Sequence, residues 1–195
     1  MDIDSNKYKE LFAKALLLEY ITIFWNSVEG ILTIATGVFS HSIALYSYGL
    51  ESSIEVFVSL VVVWQLSGGN MKREKRALKL IGAAYLLVSL YIFIQATQGL
   101  LAHTHANRSL FGILLLIIAT IGMIVLGLFK KRVGKLLQNN AVTADGKFSL
   151  IDAGLSSTVL IGLLLNVFFG FWWADQAMAL LLSGVAFREG LRELV

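Results

Sequence analysis

Six apolar stretches of bilayer-spanning length, separated by short polar connections, restrict this chain more than any other feature. A helix needs about 20 residues to cross a hydrocarbon core of about 30 Å. Runs of that length lie near residues 13–38, 42–66, 78–102, 109–129, 141–169 and 172–191. Lipid offers the backbone no hydrogen-bond partners, so such runs must pair their polar groups internally as helices. The expected fold is an all-α membrane protein, a bundle of six transmembrane helices. With 57% of its 195 residues hydrophobic and 15% charged, the chain is not an ordinary water-soluble domain. The connections are short and the sequence ends at Val195, so a single domain over 1–195 with no soluble carboxy-terminal domain is expected. The opening MDIDSNKYKE is acidic and polar, and the run after it is over-long and lacks a small-residue cleavage site, which argues against a removable signal peptide.

Basic residues gather at Lys7, Lys9 and Lys14, at Lys72, Arg73, Lys75, Arg76 and Lys79, and at Lys130, Lys131, Arg132 and Lys135. The alternate connections contain only Arg108, so the positive-inside rule predicts both termini in the cytoplasm. The expected location is the plasma (inner) membrane. Trp172 and Trp173 then fall at the outer interface, and Asp175 reads as the cap of the last helix. These clusters account for the net charge of +3 as orientation signals, so nucleic-acid binding gains no support. The absence of cysteine excludes disulfides, thiolate ligands and cysteine nucleophiles. The absence of proline leaves glycines or inserted polar groups as the sources of helix bends.

Polar residues inside the apolar stretches are not scattered. Ser47, Glu51, Glu55 and Ser59 follow one another at four-residue steps, Glu19, Thr22, Asn26, Glu29 and Thr33 share a face, and Asp145, Ser149, Asp152 and Ser156 repeat the arrangement. A carboxylate at membrane depth costs about 2.5–3.5 kcal/mol on insertion scales, so the economical packing turns the three stripes toward one another. At about 1.5 Å per residue, Glu51 and Asp152 each lie on the order of 15 Å into the membrane, near its midplane. Glu55 is one turn closer to the cytoplasm, and Asp145 and Glu19 sit toward that side. ESSIEVFVSL and FSLIDAGLSS align with Ser52 over Ser149, Ile54 over Ile151 and Glu55 over Asp152, an echo between oppositely directed helices of the kind found in alternating-access carriers.

Neighbouring carboxylates in a poorly hydrated place hold either protons or a divalent cation, which is the physical basis for exchanging one against the other. Glu51, Glu55 and Asp152 suffice for that coupling, with Ser149 or water completing the shell. Glu29, Asn26 and Asp145 are weaker candidates, and Glu19 reads as a vestibule or structural residue. Lys147 is the one basic residue expected well inside the stripes, reaching toward the cytoplasmic interface. His103 and His105 read as a polar turn, as does His41. With no central histidine, activated serine or phosphate loop, an enzyme is not expected, nor is a prosthetic group. Two rivals to a metal carrier stand: a non-transporting membrane protein that modulates a partner, and a proton-coupled carrier of organic cations.

The stretches SIALYSYGLESSIE and ADGKFSLID are similar to the SxALxxxxxxSxxD and ADxxHxxxD signatures of the cation diffusion facilitator, or cation efflux, family, and the likeness runs through all six stretches. LEYITIFWNSVEG and WWADQAMALLLSGVAFREG resemble a short branch of that family that carries membrane helices only. The resemblance implies a mid-membrane metal site on Glu51, Glu55 and Asp152, and proton-coupled efflux of a divalent metal from a homodimer. Helices one, two, four and five would enclose the path, with three and six outside. Phe148 stands where the family usually has histidine, and glutamates replace the commoner aspartate or histidine of helix two. An all-oxygen site leans toward manganese or ferrous iron; the family leans toward zinc, which ranks first.

Overall fold

The computed structural model describes residues 5–39, 43–68, 71–102, 110–169, 171 and 173–194. His41, His103, His105, Arg108 and Trp172 lie outside them, as do the side chains of Ser47 and Asp175. The described residues form six helices: α1 (Ser5–Phe39), α2 (Ile43–Gly68), α3 (Met71–Leu101), α4 (Leu110–Leu137), α5 (Asn140–Phe169) and α6 (Ala174–Leu194). Among the described residues, four segments are long and apolar enough to cross a membrane: Asn6–Phe39, Tyr48–Gly68, Met71–Leu101 and Ile113–Leu137. α5 carries Asp145, Lys147 and Asp152 in its first half, and α6 carries Arg188, Glu189, Arg192 and Glu193 at its end.

Several helices run past the apolar stretches that nucleate them. α3 starts at Met71, which puts Lys72–Lys79 on helix, and α4 continues through its basic cluster to Leu137. Lys, Arg and Glu are good helix formers, so the end of an apolar run is not the end of a helix. α4 stops at a turn in which Gln138 adopts φ 53°. The Gln138 and Asn139 N–H groups donate to the carbonyls of Lys135 (3.2 Å) and Gly134 (2.9 Å), satisfying two terminal acceptors of α4. Asn139 then caps α5 by accepting from Val142 N–H (3.1 Å), while Glu74 of α3 accepts from Asn140 N–H (2.8 Å).

α1 packs on α2 and α4 on α5, and contacts of α1 with α4 and α2 with α5 close these pairs into a ring. α3 and α6 form a third pair, lying outside the ring against α2 and α5. Each pair brings two glycines face to face. A Cβ on Gly30 would lie 3.1 Å from the Gly49 carbonyl, one on Gly82 3.0 Å from that of Gly190, and one on Gly127 2.9 Å from that of Gly146. Apolar burial gives little drive between helices in lipid, so backbone contact of this kind supplies dispersion attraction instead. The outward faces carry residues such as Leu17, Phe24 and Ile31 at seven-residue steps, all exposed. Tyr85 of α3 donates to the Ala144 carbonyl (3.0 Å), joining the outer pair to α5.

Candidate cation site

The three polar stripes do face one another inside the ring. On α1, Glu19, Thr22, Asn26, Glu29 and Thr33 are buried; so are Glu51, Glu55 and Ser59 on α2, and Asp145, Ser149, Asp152 and Ser156 on α5. The opposite faces of these helices carry the exposed apolar side chains, as bilayer solvation demands. A polar column therefore runs along the ring, and its members group into successive levels.

The level nearest the α4–α5 turn is organised by a residue that the sequence placed elsewhere. Lys130, grouped above with the cytoplasmic cluster, has no exposed surface and lies inside the ring. Its ammonium pairs with Asp145 Oδ2 at 2.8 Å and Glu19 Oε2 at 3.1 Å, and donates to Ser59 Oγ at 3.2 Å. Lys147, expected to be the basic group within the stripes, instead bridges outward to α6, with Nζ 2.9 Å from Glu189 and 3.1 Å from Glu193. The expectation is thus reversed, for a geometric reason. Leu116, Ala119, Met123, Leu126, Lys130 and Val133 are all buried on one face of α4 at alternating three- and four-residue steps, and that face carries Lys130 inward. Counting this register through the charged cluster would have found it.

One turn further out, the Ser149 hydroxyl donates to Glu55 Oε1, joining α5 to α2. Beyond it, Tyr48 donates to Asp152 Oδ2 over a long 3.4 Å. Asp152 lies within electrostatic reach of Glu51, Glu55 and Glu29. Asn26 on α1 donates to the Thr22 carbonyl at 3.2 Å and contacts Met123 Sδ at 3.9 Å. Thr120 and Ser156 share a hydrogen bond of 2.9 Å, which ties α4 to α5. Phe148 is turned toward α3, where its ring meets the edge of Tyr85 with centroids 4.7 Å apart. Tyr48 is a polar contributor that the four-residue stripes did not contain.

Hydrogen-bond accounting leaves a surplus of acceptors. Among the described residues, both carboxyl oxygens of Glu51 and of Glu29 lack a partner, as do Glu55 Oε2, Asp152 Oδ1 and Asn26 Oδ1. Buried oxygens in that state need a proton, a water or a cation. As placed, however, no three described His, Asp or Glu side chains stand close enough together to hold an ion. The carboxyls share an interior without forming a closed cage.

A family model of the cation efflux transmembrane domain matches residues 20–195. The chain belongs to the cation efflux family. Transmembrane protein 163 of Xenopus laevis is 22% identical over 187 residues, covering 93% of this chain and 66% of that protein. An uncharacterized transporter of a Synechocystis strain is 29% identical over 157 residues, covering 75% of this chain and 50% of the relative. The chain thus spans between half and two thirds of the length of these curated relatives. Within the cation efflux domain so matched lie the whole of α2 to α6 and every residue of the polar column except Glu19.

Proposed function

We propose that this protein is a secondary carrier that exports a divalent transition-metal cation in exchange for protons. Zinc ranks first as cargo, followed by manganese or iron. One observation carries the reading: α1, α2 and α5 bring buried carboxyl oxygens without partners into a common interior. Glu51, Glu55 and Asp152 would bind the ion with Ser149, with Glu29 and Asn26 alongside. Asp145 serves the same column from its inner end, through Lys130. Release of protons as the ion arrives, and their return as it leaves, would couple the two flows. The likeness to the Synechocystis transporter supports this reading. In it, six helices span the plasma (inner) membrane with both termini cytoplasmic, and two copies form a homodimer.

A second reading has its own support. Phe148 packs away from the column, and no three described carboxylates make a ready cage. A non-transporting membrane protein of this fold that modulates a partner would need neither. Proteoliposomes separate the two. Zn2+, Mn2+ or Fe2+ added outside should drive proton movement in wild type, and Glu51→Gln or Asp152→Asn should abolish it. Wild-type vesicles that move no protons with any of these metals would refute the carrier and leave the modulator.

A further inference from the structure

Lys130 has no part in binding cargo under this reading, yet it lies fully enclosed in the polar interior. Its ammonium lies against three oxygens from three helices: it donates to Asp145 of α5 at 2.8 Å and Ser59 of α2 at 3.2 Å, and forms an ion pair with Glu19 of α1 at 3.1 Å. Lys130 itself comes from α4, so every member of the ring contributes. A lysine ammonium is a compact point charge with three donors and no acceptor, and here it sits where a small cation bound by two carboxylates and a hydroxyl would sit. Asp145 Oδ1 still has no partner, so the shell offers more acceptors than the ammonium has protons.

We infer that Lys130 is a tethered cation filling an oxygen cage at the inner end of the column, and that it confines mobile ions to the level of Glu51, Glu55 and Asp152. Without it, Glu19 and Asp145 would present two uncompensated buried carboxylates to any ion arriving from that end. A divalent ion gains twice the Coulomb energy of an ammonium at equal distance, so emptying the cage should create a divalent site. The role deepens the carrier reading by limiting how many ions the column holds, while its test does not depend on transport.

The test counts Mn2+, which suits oxygen donors, by equilibrium dialysis of detergent-purified protein. Carrying Glu51→Gln and Asp152→Asn throughout removes the outer level from the count. Adding Lys130→Met to that background should raise bound Mn2+ by one per chain. Lys130→Arg should not, and neither should Lys130→Met combined with Glu19→Gln and Asp145→Asn. The inference is overturned if Lys130→Met binds no more Mn2+ than its background, or if the two control variants gain the ion as well. Should Lys130→Met fail to survive extraction in a chelating buffer, recovery when Mn2+ is present during extraction supports the cage. Failure with and without Mn2+, while the triply neutralised variant survives, overturns it. Whether wild type transports metal is read separately, from the proteoliposomes above.

Discussion

Replacing Gly146 by alanine tests the packing that holds the column together. A Cβ at this position would fall 2.5 Å from the Lys131 backbone nitrogen, 2.9 Å from the Gly127 carbonyl and 3.0 Å from Lys130 Cβ. The first two are backbone atoms that no rotamer change can move, so α4 and α5 must separate by on the order of 1 Å to restore ordinary contact near 3.5 Å. Overpacking of this kind costs about 1–3 kcal/mol, and backbone obstruction puts this case near the upper end. Alanine also gains about 1 kcal/mol over glycine in helix propensity, which partly hides the loss. Gly184 in α6 supplies the control, because a Cβ there meets nothing within 4 Å. The propensity gain cancels between the two variants, leaving Gly146→Ala about 3 kcal/mol less stable than Gly184→Ala. Unfolding in mixed detergent micelles, followed by circular dichroism, measures the difference. Equal stability for the two would refute the claim that backbone contact sets the α4–α5 distance.

Other expectations concern single interactions. Lys130→Met leaves Glu19 and Asp145 buried without a counter-charge and should destabilise by about 3–5 kcal/mol; adding Asp145→Asn should recover part of that loss in the same unfolding assay. Lys147→Met breaks a partly exposed link between α5 and α6, so its cost should be no more than about 1 kcal/mol and should shrink as salt rises. Gln138→Gly relieves a left-handed backbone held by a side-chain-bearing residue and should stabilise by about 1 kcal/mol in thermal melts.

The inward direction of the stripes was legible because lipid leaves polar side chains only one place to go. Glu51, Glu55, Asp152 and Glu29 repeat at helical spacing, so the period alone assigns them to the interior, and all four are buried. The ring of α1, α2, α4 and α5, with α3 and α6 outside, likewise agrees with the arrangement implied by family resemblance. Lys130 was illegible by composition, since its neighbours Lys131, Arg132 and Lys135 form a cluster of the kind that orients a chain in the membrane. Only a register carried from Leu116 to Val133 separates it from them. Glu74 and Asn139 were missed because their roles lie in a turn between helices, where no period operates. The facing glycines were missed for a different reason: a glycine in one helix does not name the one it will meet in another.

The pairing of helices also has a consequence for biogenesis. α1 meets α2, and α4 meets α5, so these hairpins can close as soon as the ribosome has released them. α3 has its glycine contact with α6, and the Ser89 hydroxyl donates to the Ser183 carbonyl at 2.9 Å. Its closest companion is therefore not its neighbour in the chain. During translation α3 must wait in the bilayer through the making of two further helices, its Gly82 face covered by lipid or by an insertion factor.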